Sequence, residues 1–208
     1  MSLFITFEGG EGGGKSVQAR ALYRRLSKLG IPVLLTHEPG GTPFGKRIGR
    51  WLKWAQDTDI SPLTELMLFN ASRAQLVAEV IKPALKNGKV VISDRYADST
   101  TVYQGYGRGL ELTMVKAVNK AATQGLMPDL TVLLDAPVEL CFARKEECKP
   151  DRFEQETKAF HNKVRKSYLK LASEEPKRWL VVDASQSKAR IAEVIWQRVN
   201  RLLSGRGK

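Results

Sequence analysis

Residues Gly9-Gly10-Glu11-Gly12-Gly13-Gly14-Lys15-Ser16 match the spacing GxxxxGK[ST] without a gap. The chemistry such a run offers is phosphate binding. Glycines let the backbone turn tightly, so that successive N–H groups converge on phosphate oxygens. A helix that starts there adds its positive N-terminal end. Lys15 is then placed to bridge the β- and γ-phosphates of ATP, and the Ser16 hydroxyl to ligate Mg²⁺. ATP and Mg²⁺ are the expected cofactors, with Gly9 to Ser16 and the adjoining Val17 around the phosphates. Asp94 closes the apolar segment Val90-Val91-Ile92 and is the second expected metal ligand, direct or through water. A carboxylate at the C-terminal edge of a parallel sheet lies where ligands bind. Two readings of Glu8, beside the loop, stand open: an outer partner of the metal, or a structural carboxylate.

A phosphate loop of this kind needs a strand before it and an amphipathic helix after it. Leu3–Phe7 reads as the strand, and the apolar spacing of Ala19, Leu22, Tyr23, Leu26 and Leu29 predicts a helix over 16–29. Further strands are expected at 32–37, 89–93, 130–134 and 179–182. Helices are expected at 44–54, 61–85, 111–124, 137–147 and 151–173, with a closing helix through Ile191, Val194, Ile195, Val199 and Leu202. The stretch 94–108 is polar, aromatic and glycine-bearing. Alternation of strand and helix predicts an α/β fold: a five-stranded parallel sheet wrapped by helices in one domain.

The chain has 208 residues and a formal charge of +12. Its Lys and Arg residues are scattered rather than massed in a tract, so the charge does not by itself call for nucleic acid. No apolar run approaches the roughly 20 residues of a membrane helix. Strand-like sequence begins at Leu3, leaving no room for a signal peptide. The expected location is the cytoplasm. Cys141 and Cys148 form neither a CxxC pair nor a zinc framework. His37 and His161 have no Cys or His at ligand spacing.

Several segments resemble the thymidylate kinase family, in the family's order. They are Phe7-Glu8-Gly9, Glu38-Pro39-Gly40-Gly41-Thr42, Phe69 with Arg73, and Asp94-Arg95-Tyr96. Then follow Ser99-Thr100, Tyr103-Gln104-Gly105, Asp151-Arg152-Phe153-Glu154 and Asp183-Ala184-Ser185-Gln186. The resemblance spans nearly the whole chain. It implies the nucleoside monophosphate kinase type of P-loop fold and phosphorylation of dTMP to dTDP by ATP, in dTTP biosynthesis. It implies that Phe69 stacks on thymine, although residue type alone makes Phe69 a core side chain. It also implies that Arg73, Gln104 and Thr100 face the base, that Tyr103 lies beside the sugar, and that Arg95 clamps the acceptor phosphate. Glu11 would accept from the 3′-hydroxyl, and Glu38 and Pro39 would wall the pocket. A homodimer packed through long helices is implied as well.

Phosphoryl transfer depends on cations at the migrating group. Some family members carry an arginine after the P-loop carboxylate; here Glu11 is followed by Gly12. The chain therefore resembles the class with lid-borne arginines, the lid lying at about 144–154. Its candidates are Arg144, Lys145, Lys149 and Arg152, with Arg152 first and Arg144 next. Three positions depart from the family pattern. Gly49 stands where an arginine toward the acceptor is usual, leaving Arg47 as a substitute, since Arg50 points about 100° away. Ser72 stands where an acid beside Arg73 is usual, so Arg73 lacks that partner. Lys46 stands where an acid is usual. The competing reading is a DNA-stimulated P-loop ATPase. It would need an acid placed to activate water and a positive tract, and neither stands out.

Overall fold

The structure is a computed structural model and describes residues 2–55, 59–144 and 151–205. Five parallel strands form one sheet in the order β2-β3-β1-β4-β5. They are β1 (Leu3–Glu8), β2 (Val33–His37), β3 (Val90–Asp94), β4 (Leu130–Asp135) and β5 (Trp179–Asp183). The strand order turns back on either side of β1, which makes the C-terminal end of β1 the switch point where ligands bind in such sheets. The phosphate loop leaves from that end. Register places Phe7 opposite Asp94, His37 opposite Asp94, and Glu8 opposite Leu133. The carboxylates of Glu8 and Asp94 therefore share one edge of the sheet.

All six residues of β1 are buried, because the central strand is covered on both faces. On one face, α1 (Lys15–Lys28) and α9 (Lys188–Gly205) pack Leu22, Leu26, Ile191, Ile195 and Val199 against Leu3, Ile5, Phe7 and Val132. On the other face, Leu76, Val77 and Ile81 cover Phe4 and Val91. Beside them, α8 (Lys158–Glu174) packs Val164, Tyr168 and Leu171 onto Leu133 and Trp179.

The helices depart from sequence expectation in three places. The long helix predicted over 61–85 is α3 (Pro62–Leu76) and α4 (Lys82–Lys86) joined by a π-helical stretch, Val77–Ile81. Ser61 caps its start, accepting from Thr64 N–H. The polar stretch 94–108 is also helical: α5 (Ala97–Thr100) runs into a second π-helical stretch, Thr101–Gly107. Widened turns of this kind recur at functional sites, and this one sends the adjacent Tyr103 and Gln104 to the same pocket. The helix expected from residue 151 begins only at Lys158. Asp151 Oδ1 accepts from the N–H groups of Phe153 at 3.0 Å and Glu154 at 3.1 Å, which holds a turn there. Thr157 then caps α8. Of the helix expected over 137–147, α7 covers Val138–Ala143, and residues 145–147 lie outside the described residues. Two further helices, α2 (Pro43–Trp54) and α6 (Leu112–Thr123), match expectation within two residues.

Candidate functional site

The phosphate loop is closed by backbone contacts that only glycine permits. A Cβ at Gly9 would lie 2.5 Å from the Leu134 carbonyl oxygen, and one at Gly12 2.3 Å from that of Cys141. Gly12 therefore has no room for a side chain: the backbone of α7 occupies the space. This is a physical reason why no arginine follows Glu11. Lys15 Nζ donates to the Gly10 carbonyl at 2.6 Å, inside its own loop. Burial, with Arg95 adding, lowers the Lys15 pKa to about 8; Glu11, Asp94 and Glu8 pull the other way. Ser16 Oγ donates to Asp94 Oδ2. Two hard oxygen donors thus meet at the lip of the loop, and with phosphate oxygens they suit Mg²⁺. Among the described residues no group of three His, Cys, Asp or Glu side chains could hold a metal alone.

Arg95 follows β3 in a left-handed conformation, φ +71°, which is strained for a side chain with a Cβ. Neighbours fix it from both sides. Arg95 N–H donates to the Phe7 carbonyl at 2.9 Å, and Ser93 Oγ donates to the Arg95 carbonyl at 2.7 Å. The next N–H, of Tyr96, donates to Glu8 Oε1 at 2.8 Å. Glu8 is fully buried and also accepts from Ser99 Oγ at 2.6 Å and Tyr168 OH at 2.9 Å. Burial, with Asp98 adding, pushes its carboxyl up to about 7, against the pull of Arg95, Ser99 and Tyr168. These contacts favour the structural reading of Glu8. The Arg95 guanidinium pairs with Glu11, reaches Ser99 Oγ at 3.0 Å, and approaches Tyr103 OH and Tyr168 OH at 3.4 Å. Burial disfavours its charge, but Glu11 and the surrounding oxygens outweigh that and raise its pKa.

Two clefts meet at this arginine. One runs along the phosphate loop past Lys15, Ser16 and Asp94 to Arg144. The other holds Phe69, Ser99, Thr100, Tyr103, Gln104 and Phe153. Glu11, Glu38, Pro39, Lys53 and Arg95 line both. In the second cleft the rings of Phe69 and Phe153 lie 5.6 Å apart, and Tyr103 meets Phe153 edge-on at 6.1 Å.

Arg73 lies beneath this cleft rather than on its lining, 1% exposed. Its five N–H groups all have partners in the protein. Nε donates to Glu38 at 2.8 Å; Nη1 donates to Asn70 at 3.1 Å and Asn119 at 2.9 Å. Nη2 donates to the Tyr96 carbonyl at 3.2 Å and Thr100 Oγ1 at 2.9 Å. The acid that Ser72 does not supply is Glu38, on the loop after β2. Burial raises the Glu38 pKa and Arg73 draws it back. The missing arginine at Gly49 also has a counterpart. Gly49 packs on Pro39, where a Cβ would lie 3.2 Å from the carbonyl oxygen. Arg47 and Arg50 are exposed and line neither cleft. Lys53, four residues on and so on the same helix face, lines both.

The two candidate lid arginines part company. Arg144 borders the phosphate cleft and donates to the Ala184 carbonyl at 2.9 Å. Arg152 lies on the other side: it donates to Glu65 at 2.5 Å and to the Leu52 carbonyl at 3.0 Å, at the end of α2. Lys145 and Lys149 lie outside the described residues. Sequence reasoning missed Tyr168, Glu65 and Lys53. Tyr168 and Glu65 carry no local motif. Lys53 was legible in principle from its spacing to Gly49.

Comparison with known proteins agrees with this geometry. The family model described as thymidylate kinase matches residues 7–195. A thymidylate kinase of Dehalococcoides mccartyi is 57% identical over 203 residues, covering 98% of each chain. One of Syntrophotalea carbinolica is 47% identical, also covering 98% of each. The crystal structure of thymidylate kinase from Ehrlichia chaffeensis superposes with a TM-score of 0.73 at 33% identity, covering 87% of this chain and 92% of that one. With family model, relatives and fold in agreement, the chain belongs to the thymidylate kinase family.

Proposed function

We propose that this chain transfers the γ-phosphoryl group of ATP to dTMP, giving dTDP for dTTP synthesis. The observation that carries the reading is the junction of the two clefts at Arg95. A donor on the phosphate loop and a nucleotide against Phe69 would bring their phosphates together there. The acceptor oxygen is already anionic near neutral pH, so no strong general base is needed. Catalysis rests on positioning and positive charge. Lys15 bridges the donor phosphates. Arg95 exchanges Glu11 for the acceptor phosphate, which it grips in bidentate fashion. Glu11, released, accepts from the sugar 3′-hydroxyl. Tyr103, whose hydroxyl donates to Glu11 Oε1 at 3.3 Å, fills the space beside the sugar. Arg144 is the lid cation for the transferring group, ahead of Arg152, because only Arg144 borders the donor cleft. Mg²⁺ held by Ser16 and Asp94 would supply charge neutralisation on the donor oxygens.

A neutral nucleoside is a poor acceptor, since it would leave Arg95 without an anionic partner other than Glu11. Neither nucleic acid nor a membrane is a partner in this reading. No described helix is long and apolar enough to cross a membrane, and the proposed location is the cytoplasm. The proposed assembly is a homodimer. Trp51 and Trp54 on α2, with Leu63 and Met67 on the adjacent α3, expose large apolar side chains. A mass measurement in solution tests it, and a monomer at micromolar concentration would overturn it. For the activity, a coupled assay compares dTMP, dUMP, UMP, CMP and GMP. Turnover of dTMP no faster than UMP or CMP sinks the assignment.

A further inference from the structure

Glu65, on α3, is fully buried behind the nucleobase cleft. Its Oε1 accepts from Gln104 Nε2 at 2.6 Å. Arg108 approaches the same carboxylate at 3.3 and 3.4 Å, and Arg152 at 2.5 Å. A carboxylate ringed by cations only accepts, so the Gln104 amide fits against it one way round. The reverse orientation would set two acceptor oxygens 2.6 Å apart. With its nitrogen held by Glu65, Gln104 keeps Oε1 on the other side. Gln104 lines the cleft, and no donor among the described residues bonds to that oxygen. Thr100, on the same lining, accepts from Arg73 and so keeps its own hydroxyl proton to donate. The cleft thus offers a fixed acceptor at Gln104 and a donor at Thr100. An imide edge, N–H beside C=O, is the complement of that pair. The ring nitrogen and amino group of cytosine present the inverse.

We propose that Glu65 is a positioning residue for base choice: it holds the Gln104 amide nitrogen, keeps Oε1 toward the base, and so selects an imide pyrimidine over an aminopyrimidine. This rests on the dTMP kinase reading above. The test measures kcat and KM for dTMP and dCMP in the wild type, E65Q and E65D, each repeated in a Q104L background. E65Q gives Gln104 a partner that accommodates either orientation. E65D keeps the charge beside Arg108 and Arg152 but draws the acceptor back by one methylene. The expected result is a fall of about tenfold or more in the dTMP-to-dCMP ratio of kcat/KM, carried by KM, in both variants. With leucine at 104, substitution of Glu65 leaves the ratio unchanged. A wild-type ratio in E65Q and E65D, or an equal fall in the leucine background, overturns the inference.

Should both variants unfold, the Gln104 side-chain amide decides. Its NMR signal, identified by its loss in Q104L, should stay protected from exchange in the wild type with and without dTMP. An unprotected amide overturns the inference. A wild type that does not prefer dTMP to dCMP refutes the kinase reading instead, and the amide signal still reports on the Glu65–Gln104 contact.

Discussion

Replacing Gly12 with alanine tests how the phosphate loop and α7 are joined. Gly12 has φ +73°, a conformation that costs a residue with a Cβ about 1–2 kcal/mol. The added carbon would also lie 2.3 Å from the Cys141 carbonyl oxygen and 3.0 Å from its carbon. That obstacle is backbone, so the loop or α7 must move, and overpacking of this kind costs about 1–3 kcal/mol. G12A should therefore lose about 2–5 kcal/mol in all. Gly125 supplies the control: φ is +74°, and no heavy atom lies within 4 Å of its Cβ position. G125A should lose only the conformational part, about 1–2 kcal/mol. Urea unfolding of both variants gives the difference. Because α7 leads into Arg144, KM for ATP should rise in G12A and hold in G125A. Equal losses of stability would show that the Cys141 contact yields without cost. A destabilised G12A with an unchanged KM for ATP would show that α7 does not carry the donor site with it.

Other substitutions probe the charges around the acceptor. R73M removes the one basic partner that buried Glu38 has among the described residues and should cost about 3–5 kcal/mol; a loss under about 1 kcal/mol in urea unfolding would refute the pairing's structural role. K53M should raise KM for dTMP about two- to fivefold, the scale of a half-exposed charge, and an unchanged KM would remove Lys53 from the acceptor site. Lys15 sets a pH dependence. Its folded pKa, about 8, lies below its ordinary 10.5, so between those values the unfolded chain holds more protons and stability rises with pH. ATP should restore the proton: calorimetry should find proton uptake on ATP binding near pH 8 and affinity falling above it, and no uptake there would refute the shift.

The sheet and the phosphate loop were legible because their signals are local. Five apolar segments punctuated by glycine and proline specify the strands, and the loop's spacing places it between Leu3–Phe7 and the helix that follows. What escaped was set by long-range packing. Nothing near Ser72 announces that Glu38, 35 residues before Arg73, supplies the acid. Tyr168 reaches Arg95 and Glu8 from a helix whose own sequence reads as ordinary core. The helical character of 94–108 was hidden by Gly105 and Gly107, which serve close packing: their Cβ positions lie 2.7 Å from Leu112 and 2.8 Å from Phe160. The separate places of Arg144 and Arg152 were likewise invisible, because they depend on where Ala184 and Glu65 lie in space.

Three buried carboxylates divide the work of shaping the acceptor side. Glu8 holds the backbone beyond Arg95, Glu38 holds Arg73, and Glu65 holds Gln104 with Arg108 and Arg152. None of the three needs to touch a reacting atom for the arrangement to work. Each is costly to bury, and for Glu8 the cost is visible as a pKa raised to about 7. By linkage, the stability associated with its protonated form is fully present below about 4.5 and lost as pH rises through 7. Near neutral pH, then, Glu8 favours the left-handed Arg95 geometry through its hydrogen bonds while burial of its charge opposes folding. A side chain retained under that opposition is explained by what it fixes: an arginine aimed at the join between the two clefts and paired there with Glu11.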